Sequence, residues 1–308
     1  MAIAVKTEGL TKNYRLLMHK EPVNAVSDLN LEVNEGEIFG FLGPNGAGKT
    51  TTIKMLLGLT YPTAGQAWVL GKPAGDIEIK REISYLPESP YFYDYMSGTE
   101  LLGFYASLFR IGGVERAEKI ERLLKLVGLY NDRFKPLSQY SKGMLQRIGI
   151  AQALINDPKL LFFDEPTSGL DPIAHSEIRV LILKLRDEGR TVFLSSHQLS
   201  DVEMVCDRVA ILNRGKLLKI GKLDDMLFGG SVEITASGLN ASALEKLKTL
   251  AKSVSTEDST VTVTQDEGEG VGKVIDAVRA AGGEIISVIP QKRTLEGLFM
   301  EIIREENK

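Results

Sequence analysis

From Ile3 to Tyr14 (IAVKTEGLTKNY), and again in AVSDLNLEV, apolar and polar positions alternate. A period of two predicts half-buried strands in an antiparallel β layer. The pattern then changes. Ile38 to Leu42 is a short apolar run, predicting a buried strand, and TTIKMLLGL after it has apolar residues at helical spacing. GQAWVLGKP reads as a further short strand and turn. From about residue 89 to residue 140, ELLGFYASLFRI and EKIERLLKLVGL place apolar residues three and four apart, predicting a helical insertion. SKGMLQRIGIAQAL reads as a helix introduced by a serine. The run LLFF is too short for a helix and predicts a buried parallel strand. IAHSEIRVLILKLRDEG predicts a helix ending at Gly189, and TVFLSSH a second buried strand. Strands alternating with helices indicate an α/β core around a parallel sheet.

The texture changes again after Gly230. SVEITA, TVTVTQ and EIISVI read as strands, with ASALEKLKTLAKSV and VGKVIDAVRAAGG as helices between them. The last segment places Leu295, Leu298, Phe299, Ile302 and Ile303 on one helical face, with Thr294 as its N-cap. This order fits a small α+β domain of ferredoxin-like type over residues 231–308. Gly229–Gly230 marks the join. The segment carries core patterning and no catalytic constellation.

The chemistry begins at GPNGAGKTT, residues Gly43, Pro44, Asn45, Gly46, Ala47, Gly48, Lys49, Thr50 and Thr51. It fits the phosphate-loop pattern, with a strand before it and a helix after it, which is the context the pattern needs. Gly43, Gly46 and Gly48 let the backbone close around a polyphosphate, since no Cβ blocks the approach. Exposed N–H groups at a helix start favour the anion. Lys49 is expected on the β/γ-phosphates and the Thr50 hydroxyl on Mg²⁺. A nucleoside triphosphate is the predicted ligand.

Composition narrows the setting. With 308 residues and 43% hydrophobic content, the chain can bury a large core and divide into two domains. A net charge of −4 argues against a nucleic-acid binder, which usually carries a basic footprint. The single cysteine, Cys206, cannot form an intrachain disulfide, so a reducing compartment is expected. The N-terminal MAIAVKTEGL lacks the pattern of a secretory signal. No apolar run approaches the roughly 18–20 residues of a spanning helix, so a membrane role would belong to a partner.

LLFFDEP is the second chemical signal. It puts Asp164 and Glu165 at the C-terminal end of a buried strand, the edge where parallel α/β sheets bind ligands. Asp164 is placed to hold Mg²⁺ beside Thr50, and Glu165 to polarise a water for attack on the γ-phosphate.

GPNGAGKTT, SKGMLQR, LLFFDEPTSGLDP and SSH, in that order, resemble an ABC-transporter ATPase domain over about residues 5–225. The resemblance implies further roles. Tyr14 would stack on adenine, and His197 would contact the γ-phosphate as a catalytic switch. Asp171 would couple two ATP sites. Ser141 and Gly143 would reach across a head-to-tail dimer to ATP held by a second copy of the same or a homologous chain. Two positions depart from the usual motifs. LSGGQ reads YSKGM here, with Lys142 and Met144, and the customary Gln that binds Mg²⁺ and the attacking water is Glu88. Both departures are familiar among bacterial exporter ATPases. The insertion's aromatics, Tyr85, Tyr91, Phe92, Tyr93, Tyr95, Phe104, Tyr105 and Phe109, are expected mostly to fill its own core, with Tyr91 to Tyr95 the exposed group. In the family this region receives a membrane permease subunit.

The expected fold is therefore an α/β P-loop NTPase core with an antiparallel β layer and a helical insertion over residues 1–228, plus the small C-terminal α+β domain. The expected activity is Mg²⁺-dependent ATP hydrolysis powering export through separate membrane subunits, at the cytoplasmic face of the membrane and without nucleic acid. The competing reading is a soluble ABC ATPase acting on a ribosome or DNA. For the C-terminal domain the resemblance implies a regulatory or dimer-supporting role.

Overall fold

A computed structural model describes the chain except residues 1, 16–21, 229, 258–259, 267, 292 and 307–308. It divides into two compact units, Met1–Lys222 and Leu223–Lys308. The division precedes the Gly229–Gly230 pair, of which Gly229 lies outside the described residues.

In the first unit β1 (Ile3–Tyr14) pairs antiparallel with β2 (Val23–Asn34). Next come β3 (Ile38–Leu42) and α1 (Lys49–Leu56), with the glycine loop between them. β4 (Ala64–Val69) and β5 (Lys72–Pro73) complete the antiparallel layer in the order β2-β1-β4-β5. After β6 (Ile83–Leu86) comes the insertion, with α2 (Gly98–Leu108) and α3 (Gly113–Leu126). α2 starts at a capping box in which the Ser97 side chain accepts from the Glu100 N–H and the Glu100 carboxylate accepts from the Ser97 N–H.

α4 (Lys142–Ala153) returns the chain to the core at β7 (Leu160–Asp164). There follow α5 (Pro172–Asp187), β8 (Thr191–Ser196), α6 (Leu199–Val205) and the hairpin β9 (Arg208–Asn213) with β10 (Lys216–Lys222). The sequence pattern does not pick out that hairpin. The second sheet runs β10-β9-β3-β8-β7-β6, parallel except for β10.

The two sheets share one core. Leu10, Val26, Leu29 and Leu31 from the antiparallel layer pack with Phe39, Phe41, Phe162 and Phe193 from the parallel sheet. The Phe193 ring lies 5.1–5.6 Å from the other three, within the range of favourable tilted pairs. Each such buried ring contributes about 1.5–3 kcal/mol, which anchors the strand ends that carry the chemistry.

The aromatic expectation needs correction. The insertion's core is aliphatic, built from Leu101, Leu102, Ala106, Ile120, Leu123 and Leu124. Phe104 and Phe109 are exposed, Phe92 and Tyr105 are half-buried, and Tyr85 belongs to β6 of the central sheet. Tyr91, Tyr93 and Tyr95 are exposed, Tyr91 at 93%.

The second unit opens with a short helix, α7 (Leu223–Leu227). There follow β11 (Ser231–Ser237), α8 (Ala241–Leu250), β12 (Ser253–Glu257), β13 (Thr260–Asp266), α9 (Glu269–Ala280), β14 (Glu284–Gln291) and α10 (Leu295–Glu306). The antiparallel sheet order β12-β13-β11-β14 is that of a ferredoxin-like β-α-β-β-α-β unit. The predicted helix ASALEKLKTLAKSV is too long. It stops at Leu250, and Ser253–Glu257 pairs with β13 so that Val254 packs on the core of Val232, Ile234, Val261 and Val263. At α10, the Gly297 N–H donates to Thr294 Oγ1 at 3.1 Å, a capping bond.

Candidate active site

Parallel register brings the sequence-predicted residues to one sheet edge. Leu42 at the end of β3 pairs with Ser196 at the end of β8, and Asp164 at the end of β7 pairs with Ser195. The residues that follow those strand ends are Gly43, His197 and Glu165.

The glycine loop is wedged between neighbouring strands. A Cβ on Gly43 would lie 2.6 Å from the Leu212 carbonyl oxygen, and one on Gly48 would collide with the carbonyl of Ala25. Gly48 also has φ +100° and is the N-cap of α1, without a side-chain cap. The first-turn N–H groups of α1 are therefore left for an anion. Pro44, Asn45, Gly46 and Thr50 are exposed, Thr51 is half-buried, and Ala47 is buried. The Thr52 hydroxyl turns inward to the Gly48 carbonyl at 3.0 Å.

Lys49 is 6% exposed and folds back over its own loop. Its ammonium donates to the Gly43 carbonyl at 2.7 Å and the Pro44 carbonyl at 3.4 Å. It also lies 3.1 Å from Glu165 Oε1, an ion pair without hydrogen-bond alignment, so that buried oxygen has no hydrogen-bond partner. Glu165 Oε2 accepts from the His197 N–H at 3.1 Å and lies 2.7 Å from His197 Nδ1. Glu165 has φ +51°, a conformation that costs a non-glycine residue roughly 1 kcal/mol or more. Its N–H donates to the Ser195 carbonyl at 3.1 Å and the Ser195 hydroxyl at 3.2 Å, which holds that turn in place.

Asp164 is 2% exposed. Ser195 Oγ donates to its Oδ1 at 2.5 Å, and Tyr85 OH to its Oδ2 at 3.4 Å. Burial, reinforced by the Asp164 charge, pushes the Tyr85 phenol far above its usual range. The sequence pattern does not point to Ser195 or Tyr85 as site residues; the one signal for Ser195 is its place two residues before the histidine in SSH. Glu88 is exposed and accepts from Ser168 Oγ at 3.2 Å.

Other predicted residues stand apart from this cluster. Ser141 and Asp171 are N-caps, Ser141 Oγ accepting from Met144 N at 3.2 Å and Asp171 Oδ1 from Ala174 N at 2.9 Å. A Cβ on Gly143 would lie 3.0 Å from Ala174 Cβ, so the starts of α4 and α5 are in contact. Among the described residues no bond links Ser141, Gly143 or Asp171 to Lys49, Asp164 or Glu165. Tyr14 closes β1, with the Lys12 ammonium 5.0 Å from its ring centre.

A divalent cation fits these donors in one way only. No group of three or more His, Cys, Asp or Glu side chains among the described residues forms a cation cage. The Thr50 hydroxyl, unpartnered among the described residues, and one or two carboxylates suit Mg²⁺, which takes its remaining ligands from water and substrate phosphates.

Residues 26–168 match the ABC transporter family. An uncharacterised ABC transporter ATP-binding protein of Synechocystis sp. is 43% identical over 309 residues, 99% of this chain and 86% of the relative. The chain belongs to the ABC transporter ATP-binding family. As an ABC ATPase it binds and hydrolyses ATP. The likeness extends through the second unit: the bacitracin transport ATP-binding protein BcrA of Enterococcus faecalis is 34% identical over 310 residues, 98% of this chain and 97% of BcrA. Among solved structures, a dimeric ATP-binding cassette in a post-hydrolysis state, bound to ADP and Pi, superposes with a TM-score of 0.64. It is 27% identical, covers 71% of this chain and is itself covered to 98%.

Proposed function

We propose that this ABC ATPase drives export through separate membrane subunits, and that two copies close head to tail around ATP. The observation that carries the reading is Glu165: one buried oxygen held by His197, the other unbonded and facing Lys49. In this reading the phosphates take Lys49 from the Gly43 and Pro44 carbonyls. Glu165 then keeps its orientation through His197 and Ser195, and Oε1 becomes the acceptor for a proton from the attacking water. Bound Mg²⁺, held by Thr50, Asp164 and Glu88, would neutralise phosphate charge. Tyr14 offers a ring for the adenine.

Ser141, Gly143 and Asp171 lie on the N-terminal ends of helices, with no bond to the phosphate-side cluster among the described residues of their own chain. They are available to the ATP of a second copy, and the start of α4 is itself a place for an anion. ATP in such an interface favours the closed dimer, and hydrolysis weakens it. No helix among the described residues is long and apolar enough to cross a membrane. Tyr91, Tyr93 and Tyr95 present exposed rings of the type enriched in protein interfaces, and we assign them to docking on a membrane permease at its cytoplasmic face. Export, rather than another transport direction, is supported by the Glu88 and Lys142 departures. The alternative of acting on a ribosome or DNA gains nothing from relatives named as transporter subunits.

The test is Glu165→Gln. It is expected to bind ATP with parental affinity, lose hydrolysis by about a hundredfold or more, and accumulate an ATP-held dimer on gel filtration. Parental hydrolysis in this variant would remove the general-base assignment.

A further inference from the structure

The two positions at which this chain departs from the usual motifs meet the same loop. Residues 166–171 connect Glu165 to the N-cap of α5. Ser168, in that loop, donates from Oγ to Glu88 Oε1 at 3.2 Å. The next residue, Gly169, has φ +66°, and the Lys142 ammonium occupies the space a Cβ on Gly169 would need. A carboxylate from the loop after β6 and an ammonium from the first turn of α4 thus rest on adjacent residues. Neither Glu88 nor Lys142 has an ion-pair partner within 4.0 Å among the described residues.

Each charge alone is unfavourable where it stands. Glu88 adds negative charge beside a phosphate site. Lys142 adds positive charge at the start of a helix, where the backbone dipole is already positive. Both charges meet one loop, at its adjacent residues Ser168 and Gly169. That loop starts at the Glu165 base and ends at Asp171, so its position sets the reach of both.

We propose that Glu88 and Lys142 act as one charge-compensated pair that clasps the Ser168–Gly169 loop and positions Glu165 and Asp171. Lys142 is a positioning residue in this role, and the proposal rests on the ATPase reading above. Gly169 serves the clasp twice, by its left-handed backbone and by leaving room for the ammonium.

A double-mutant cycle tests it, using the full chain with Glu88→Gln, Lys142→Gln and the combined variant. Each single change is expected to lower kcat about three- to tenfold with KM for ATP nearly unchanged, and the combined variant to lose clearly less than the product of the two single losses. Lys142→Arg should remain near the parent. A second readout needs no nucleotide: amide hydrogen exchange at Ser168 and Leu170 should speed up in the Lys142→Gln variant and return toward parental rates in the combined variant. Kinetic losses that simply multiply would overturn the pairing, as would exchange at Ser168 and Leu170 indifferent to Lys142. Absence of ATPase activity in the parent would instead remove the functional reading, leaving the exchange arm to decide the clasp.

Discussion

Glu165 and His197 are joined at a single carboxylate oxygen, Oε2, which lies 3.1 Å from the His197 backbone nitrogen and 2.7 Å from its Nδ1. An ionised carboxylate can only accept, so Nδ1 carries the ring proton and Nε2 is left without a partner among the described residues. The backbone bond aims the carboxylate whatever the ring does. The ring bond fixes the imidazole tautomer.

This division of labour gives the first prediction. His197→Ala should leave Glu165 aimed by the backbone N–H and by Ser195, so ATP affinity should stay close to the parental value. It removes the ring proposed to contact the γ-phosphate, and kcat should fall by roughly a hundredfold. Steady-state ATPase assays beside equilibrium nucleotide binding separate the two effects. A fall in affinity with kcat intact would reverse the assignment.

Lys49 makes a complementary prediction. Its ammonium is now satisfied by two loop carbonyls and the Glu165 charge, groups that phosphates would replace as partners. Lys49→Ala should weaken ATP binding by roughly thirtyfold, about 2 kcal/mol, the scale of a hydrogen bond to a charged group. A fluorescent ATP analogue titrated against both proteins measures it. Parental affinity would undercut the phosphate-loop reading.

What the sequence made legible follows from how far apart the partners lie along the chain. Gly43, Gly48 and Lys49 sit within one turn, where covalent geometry fixes their relation, and the motif can be read directly. Asp164 and Glu165 are legible for the same reason, at the end of a strand whose apolar run is unmistakable. Ser195 and Tyr85 are not, because only the β7–β8 and β6–β7 registers bring them to Asp164. The pattern extends α8 into β12 because Ala251, Lys252, Ser253 and Val254 continue a helical spacing. Pairing with β13 and burial of Val254 overrode it. Hydrophobicity places Phe104, Tyr105 and Phe109 inward, whereas Leu101, Leu102 and Leu124 already fill that space.

The third prediction concerns alkaline pH. Burial pushes the Cys206 thiol well above its ordinary value of about 9, with the Asp207 charge adding to the shift. The folded thiol stays protonated where the unfolded one ionises. The resulting stability is complete below pH ~9 and is lost as pH rises past that value, and Tyr85 acts in the same direction from pH ~10. The melting temperature should therefore decline above pH ~9, and Cys206→Ala should make that decline shallower. At pH 8 the native thiol should resist a thiol reagent that reacts at once in denaturant. Rapid native labelling would contradict the burial of Cys206.

Asp201 on α6 provides the last prediction. The residue is 4% exposed, with Oδ1 2.9 Å from Arg179 Nη1 and Oδ2 3.0 Å from His175 Nδ1. Only the first contact has hydrogen-bond alignment; Oδ2 is otherwise unpartnered. Both partners lie on α5, so this cluster ties the helix capped by Asp171 to the helix that follows His197. Removing one member of a buried pair typically costs about 3–5 kcal/mol. Arg179 and His175 retain 23% and 17% side-chain exposure, so water can recover part of the loss. Asp201→Ala should therefore cost about 2 kcal/mol, seen as a lower urea midpoint with an unchanged slope. Asp201→Asn keeps an acceptor for Arg179 and should cost about 1 kcal/mol. If Asn proves as damaging as Ala, the charge holds α5 to α6 rather than the Arg179 hydrogen bond. If neither variant shifts the midpoint, the cluster contributes nothing to the packing of the two helices.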